Sequence, residues 1–550
     1  MVRISGFLLG ILFCFQTAFS QDYSYAFLVE FTDKNQTAYS VDNPLEFLSQ
    51  RAIDRREKYD IAITDNDFPV NDFYVDSLKY YSGVFHNSSK WFNSAVYYTN
   101  NSAFNEDVQN ISFVQNVRLV YTNFSLKSST NKNKFQSENN ISMPADFDYG
   151  ESYDQIAMCN GQVLHNQGYA GQGMQIAVLD AGFKNADEVS CFDSLFQNNR
   201  ILGTYDFVKN ETSVYEDHYH GMNVLSILAA NIPGLVMGTA PKASYWLLRS
   251  EDDASEFPIE EENWIFAAEF ADSAGVDVIT TSLGYSVFDD ADMSYVYADM
   301  DGETTRITQG AEKAFSKGIF VVSSAGNEGG NSWKYLTAPS DGEHIMCIGA
   351  VNQEESIAYF SSQGPSADGR VKPDVCGVGA GTILVNPDGS DGSGSGTSFS
   401  CPLIAGLSTC LWQAFPDLSN MELLDLIRSC ADSYDNPNNY YGYGIPDYAY
   451  AIDMMNDTFI KDNTKSQILN VYPNPLVSDL SFNLYIDKEQ TINIVLFDLL
   501  GNKLFSQSKV LNTTSTAKIK IQGLDILERG AYVLTVYTNT GVLTSIVVKK

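Results

Sequence analysis

Asp180, His220 and Ser398 stand in three segments whose surroundings suit nucleophilic catalysis. Asp180 ends an apolar run, AVLDAGF. His220 opens HGMNVLSILAA, where a helical apolar run follows a glycine. Ser398 lies in GSGSGTSFSCPLIAG, a glycine-rich loop entering an apolar helix with Pro402 expected in its first turn. A serine hydroxyl is a weak nucleophile until an imidazole takes its proton. The imidazole in turn needs a buried carboxylate to fix its tautomer and stabilise its cationic form. A serine at a helix start also turns backbone N–H groups and the positive end of the helix dipole toward a reacting carbonyl. A side-chain amide would complete an oxyanion hole, and Asn327 in SSAGNEGG is the candidate. Loss of such a donor typically costs about 10²–10³ in kcat. The GSDGSGSG stretch does not read as a phosphate loop, because no Gly-Lys-Ser/Thr follows it.

In that order these segments resemble the motifs of the subtilisin-like serine proteases, the subtilases. AVLDAGF is similar to the family's aspartate motif, HGMNV to its histidine motif, AGNEG to its oxyanion motif and GTSFSCP to its serine motif. SSQGPSADGRVKPDV (361–375) resembles a stretch that many members carry before the serine. Ser282-Leu283-Gly284 resembles the segment that pairs with substrate backbone and walls the first specificity pocket. The resemblance implies a secreted serine endopeptidase made as a preproprotein, acting on proteins or peptides through an acyl-enzyme. Asp180, His220 and Ser398 would form its triad, Asn327 its oxyanion hole, and Ser282, Leu283 and Gly284 would bind substrate. A catalytically inactive adhesin or binding protein on the same scaffold is the competing class. Departures are Ala181 where Thr or Ser is usual, Met222 and Asn223 where Thr and His are usual, and Cys401 before Pro402. His218 lacks the following glycine that His220 has, and reads as a surface side chain.

These groups need elements to hold them. MQIAVLDAG, GVDVITTSLG, GIFVVSSAGN and HIMCIGAV are continuous apolar runs that break at Asp180, Ser282 and Asn327. Strands buried on both faces have this pattern, so the expected class is α/β, a parallel sheet flanked by helices over residues 150–455. Ligands in such folds sit at the carboxyl ends of the strands. Residues 21–149 read as a small α+β unit with its linker. Tyr23–Thr32 is its first strand, Pro44–Tyr59 and Asp72–Tyr81 are helices, and WFNSAVYYT and ISFVQNVRLVYT are strands. Its position resembles that of a subtilase propeptide. Residues 466–550 contain FNLYI, INIVLFDL, AKIKI, AYVLTVYT and TSIVVK between turn residues, the pattern of a small β-sandwich. VYPNP, FDLLGNKL, GAYVLTVYTNTG and the final Lys549-Lys550 resemble a type IX secretion sorting domain. That resemblance implies the outer-membrane type IX machinery as a partner. A carbohydrate-binding or adhesive sandwich is the alternative.

Residues 1–20 carry Arg3, an apolar stretch and Ala18-Phe19-Ser20, the pattern of a signal peptide cut before Gln21. The expected location is therefore secreted or at the cell surface. The 68 acidic against 34 basic residues leave a net charge of −34, which repels phosphate backbones and argues against nucleic acid. With five His and no metal-like cysteine spacing, no metal ligand set or cofactor is expected. Calcium stays open, since oxygen ligands suit it. Glu251-Asp252-Asp253 and Glu260-Glu261-Glu262 read as solvated faces. The seven cysteines beyond Cys14 read mostly as small buried hydrophobes, with Cys410–Cys430 the one disulfide considered. The expected working form is a monomer.

Overall fold

The computed structural model describes residues 23–123, 147–462 and, with short gaps, 467–549. The signal segment and most of the polar linker after residue 123 lie outside the described residues. The first unit is an antiparallel sheet of β1 (Tyr25–Phe31), β2 (Val84–Ser89), β3 (Ser94–Thr99) and β4 (Val114–Thr122), in the order β2-β3-β1-β4. Period-two alternation splits its residues between two cores. Phe27, Val29 and Phe31 pack within the unit, whereas Ala26 and Leu28 join the core of the large domain. One long helix was expected over 44–59. The chain instead makes a short turn at Pro44–Glu46 and then α1 (Gln50–Lys58), because Ser49 caps the helix by accepting the Ala52 N–H. Asp72–Lys79 forms α2 as expected.

Seven parallel strands make the central sheet. They are β5 (Gln175–Asp180), β6 (Ile201–Asp206), β7 (Ser244–Arg249), β8 (Val278–Thr281), β9 (Phe320–Ser324), β10 (Met346–Val351) and β11 (Val375–Val378). Their order is β11-β10-β9-β8-β5-β7-β6. Leu179 pairs with Thr281 and Thr281 with Ser323, so β5, β8 and β9 end level. The crossover from β7 to β8 passes over β5, which puts a topological switch point at the carboxyl ends of β5 and β8.

Helices cover both faces, and four matter to the site: α3 (His220–Ala229), α4 (Ile259–Ala274), α5 (Arg306–Ser316) and α6 (Thr397–Ala414). On one face, α6 lies buried across the sheet, with Cys401 Sγ donating to Thr281 O at 3.5 Å. On the other, α4 is sandwiched between the central sheet and the N-terminal unit. Trp264 Nε1 donates to Thr281 Oγ1 at 3.0 Å on the sheet side, and Asn263 Oδ1 meets His86 Nε2 at 2.9 Å on the other.

That sandwich corrects the reading of the glutamate run. Glu260, Glu261 and Glu262 are all buried, not solvated. Glu262 accepts from Arg306 Nε at 2.9 Å and pairs with Arg118 of β4. Glu261 accepts from the Tyr295 hydroxyl at 2.8 Å and from the Ile307 N–H. Of the other run only Asp253 is exposed.

The seven cysteines among the described residues are all buried and unpaired, so Cys410 and Cys430 form no disulfide. Each thiol instead donates to a carbonyl, Thr239 O and Ile427 O respectively, both at 3.3 Å.

The C-terminal unit has antiparallel sheets of three and four strands around its own core of Leu480, Phe482, Ile494, Leu534 and neighbours. Gln467–Tyr472 and Lys503–Leu511 are strands beyond the five expected. No helix among the described residues is long and apolar enough to cross a membrane.

Candidate active site

Asp180 is the last residue of β5 and fully buried. Its Oδ1 accepts the His220 Nδ1–H at 2.7 Å and the Ala181 N–H at 2.8 Å. Oδ2 is buried without a hydrogen-bond partner, and the methyl of Ala181 offers no hydroxyl to it. His220 opens α3, and the glycine after it explains how the helix comes so close. A Cβ on Gly221 would sit 2.5 Å from Gly182 O and 2.8 Å from Asp180 Cβ, so only glycine fits. Burial alone would lower the pKa of the His220 imidazole. The charge and hydrogen bond of Asp180 outweigh it and hold the imidazole above its ordinary 6.5.

Ser398 is the second residue of α6, so its N–H belongs to the first turn, which has no intrahelical acceptors. Pro402 falls in the second turn of α6, not the first, because the helix begins at Thr397. Without an N–H, Pro402 cannot bond back to Ser398 O. The Ser282 hydroxyl fills that place, donating to Ser398 O at 2.9 Å, while Ser398 Oγ donates to Ser282 O at 3.2 Å. This reciprocal pair was not foreseen. Ser398 Oγ is thus parked on a carbonyl rather than on His220; such contacts commonly tighten only with substrate bound.

Asn327 follows β9. Its Oδ1 accepts from the Thr397 N–H at 2.8 Å and the Thr397 hydroxyl at 3.1 Å. Those bonds fix the amide, leaving Nδ2–H₂ as the group to present. Ser282, Leu283 and Gly284 extend from β8, and Gly284 lies so close to Thr337 that a Cβ would come within 2.1 Å of its hydroxyl.

A cleft of about 260 Å³ gathers these groups at the switch point. His220, Ser282, Leu283, Gly284, Asn327 and Ser398 all line it, and Asp180 stands behind His220. His218, expected at the surface, is half-buried and lines the cleft too, its Nδ1 accepting the His220 N–H at 3.3 Å. Burial, then the neighbouring His220, lowers its pKa, in keeping with an acceptor nitrogen. Glu251, Asp253, Glu256 and Glu328 also line the cleft, and sequence reasoning missed them as site residues. Their only sequence signal was charge, which is common on any surface. Among the described residues, Glu251, Glu256 and Glu260 are the one set of three acidic, His or Cys ligands close enough to share an ion.

Residues 171–444 match the model described as the Subtilase family. The chain is 31% identical over 297 residues to Subtilisin E of Bacillus subtilis (strain 168), covering 53% of this chain and 68% of that one. The chain belongs to the subtilase family. This subtilase is also 30% identical to Subtilisin of Bacillus pumilus over 297 residues, 53% of this chain and 94% of that one. It is 28% identical to Serine protease AprX of Bacillus subtilis (strain 168) over 315 residues, 52% and 66% of the two chains. Residues 26–139 match the Peptidase S8 propeptide domain, Bacteroidota, and residues 470–550 the Secretion system C-terminal sorting domain. The subtilase is therefore a subtilisin-like serine peptidase made with a propeptide, and its sorting domain marks it for export across the outer membrane to the surface or the medium.

Proposed function

We propose that this subtilase is an endopeptidase working through Asp180, His220 and Ser398, made as a preproprotein and active as a monomer. The observation that carries the proposal is the 2.7 Å bond from His220 Nδ1 to buried Asp180, in a cleft that Ser398 also lines. That bond leaves His220 Nε2 as the base. Nε2 takes the Ser398 hydroxyl proton as Oγ attacks the scissile carbonyl, and Asp180 stabilises the imidazolium. The Ser398 N–H and Asn327 Nδ2 receive the developing oxyanion, and the Ser282–Gly284 edge aligns the substrate backbone. His220 returns the proton to the leaving amine. Water, deprotonated by the same imidazole, then releases the acyl group. The step uses no cofactor.

The division we propose is a signal peptide (1–20), a propeptide with linker (21–149), a catalytic domain (150–455) and a sorting domain (466–550). A fluorophosphonate probe tests the chemistry. Labelling of the mature chain at Ser398 is the expected result, and silence after confirmed propeptide removal would show a binding protein instead.

The base must be neutral to act, so kcat/KM falls as pH drops through the pKa of His220. Because Asp180 raises that pKa, the acidic limb of the profile should have its midpoint above 6.5. Asp180→Asn removes the raising charge, so the surviving activity should show its midpoint moved to lower pH. A profile that does not move argues against the assignment of Asp180.

A further inference from the structure

Three carboxylates crowd one wall of the cleft without a role in the chemistry above. Glu251 follows β7, Glu256 lies in the loop before α4, and Glu260 sits in the first turn of α4. One oxygen from each lies within 4.8 Å of the others. Glu251 and Glu256 line the cleft, and Glu260 stands behind them, 1% exposed.

Two buried polar atoms beside the cluster lack partners among the described residues. Glu260 Oε1 accepts the Phe257 N–H at 3.0 Å, but Oε2 has no hydrogen bond. The hydroxyl of Tyr285, a residue 1% exposed, has none either. Its ionisation is opposed first by burial and then by Glu251, Glu260 and Glu256, which places it against the same cluster. Arg249, two residues before Glu251, pairs instead with Asp206, Asp217 and Asp252. Burial and mutual repulsion push Glu256 and Glu260 well up. Burial and then the charge of Asp180 take Glu251 to about 7. The cluster is short of positive charge. Asp253 and Glu328 add to the acidity of the cleft, and no Lys or Arg among the described residues lines it.

We propose that Glu251, Glu256 and Glu260 seat a Lys or Arg side chain of the substrate, so that the enzyme prefers peptides with a basic residue near the scissile bond. This rests on the catalytic reading above. An ammonium roughly 2.8 Å from each of three oxygens fits acceptors spaced by up to 4.8 Å. A guanidinium can bond two of them with its fork. The two outer carboxylates line the substrate cleft itself, so a cation reaching them arrives with whatever occupies the cleft. That favours a substrate side chain over a permanently held metal ion.

The test uses mature enzyme, first checked for fluorophosphonate labelling, on a peptide library with products identified by mass spectrometry. Lys and Arg should be enriched at one fixed position within a few residues of the cut. A peptide pair differing only there, lysine against norleucine, should differ roughly ten- to a hundredfold in kcat/KM. Glu256→Gln should shrink that ratio about tenfold, the norleucine peptide reporting any general damage to the fold. The proposal is overturned by a library without basic enrichment from an enzyme that labels and cleaves. It is overturned equally by a ratio that Glu256→Gln leaves intact, or by loss on both peptides alike. A bound Ca²⁺ present in the wild type and lost in Glu256→Gln overturns it in favour of a metal site. A chain that neither labels nor cleaves sinks the catalytic reading, and this one with it.

Discussion

A Ser398→Ala precursor should remain at full length and hydrolyse casein on the order of 10⁴–10⁶-fold more slowly than the wild type. On the proposed mechanism the variant loses the oxygen that would form the acyl-enzyme. It keeps the Ser398-position N–H, Asn327 and the Ser282–Gly284 edge, so substrate still binds and the oxyanion donors still act. The reciprocal bonds between Ser282 and Ser398 make the comparison pointed, because both hydroxyls lie at the switch point. Ser282→Ala removes the donor to Ser398 O, a buried hydrogen bond worth about 1–3 kcal/mol when its acceptor is left unsatisfied. That variant should lose some activity and some stability but still label with a fluorophosphonate. Wild-type processing by Ser398→Ala, or labelling lost only in Ser282→Ala, would reverse the assignment of nucleophile. Gel analysis of the precursor and an initial-rate assay suffice.

The groups that this comparison turns on were readable because their elements are. Strands β5, β8, β9 and β10 are continuous apolar runs, and the polar interruptions at the carboxyl ends of the first three, Asp180, Ser282 and Asn327, mark where the cleft is built. A single strand's polarity cannot say what packs on it from far along the chain. The Glu260-Glu261-Glu262 run reads as solvated until the N-terminal unit is laid over α4 and Arg118 of β4 reaches Glu262. Val84–Ser89 and Lys503–Leu511 escaped notice because their sequences, VFHNSS and KLFSQSKVL, lack apolar alternation. Both lie at sheet edges, where one neighbour suffices to form a strand. Asp391–Ser395 reads as a glycine-rich loop yet pairs as a strand with Ala380–Val385 just before Ser398. The absence of a glycine after His218 is a local signal that says nothing of the cleft beside it. Local pattern reported the strands and their ends. Contacts distant in sequence decided which charges are buried.

One such distant contact should control how firmly the propeptide holds. Asp272 of α4 is fully buried beneath the N-terminal unit and meets three of its cations. Arg56 grips it with both terminal nitrogens at 3.0 Å, Arg55 approaches to 2.6 Å and Lys90 to 3.3 Å. Arg56 also reaches Asp67 at 2.8 Å, which Lys317 of the large domain holds from the far side at 2.9 Å. Burial works to raise the carboxyl of Asp272, but Lys90, Arg56 and Arg55 outweigh it and keep it well below the usual carboxylate range. Asp272→Asn keeps the shape and removes the charge, leaving Arg55 and Lys90 without a carboxylate and Arg56 with Asp67 alone. Breaking a buried network in this way costs about 3–5 kcal/mol, far more than a surface pair would. The loss falls on the bound precursor, because in the released mature domain Asp272 would face water and need no partner. In a Ser398→Ala background, which prevents self-cleavage, the Asp272→Asn precursor should expose its N-terminal unit to an added protease at clearly lower urea. The mature enzyme carrying Asp272→Asn alone should keep its kcat/KM, since the residue is not among those that line the cleft. An unchanged urea threshold would mean that apolar contacts such as Ala26, Leu28 and Val96 against the large core hold the propeptide by themselves.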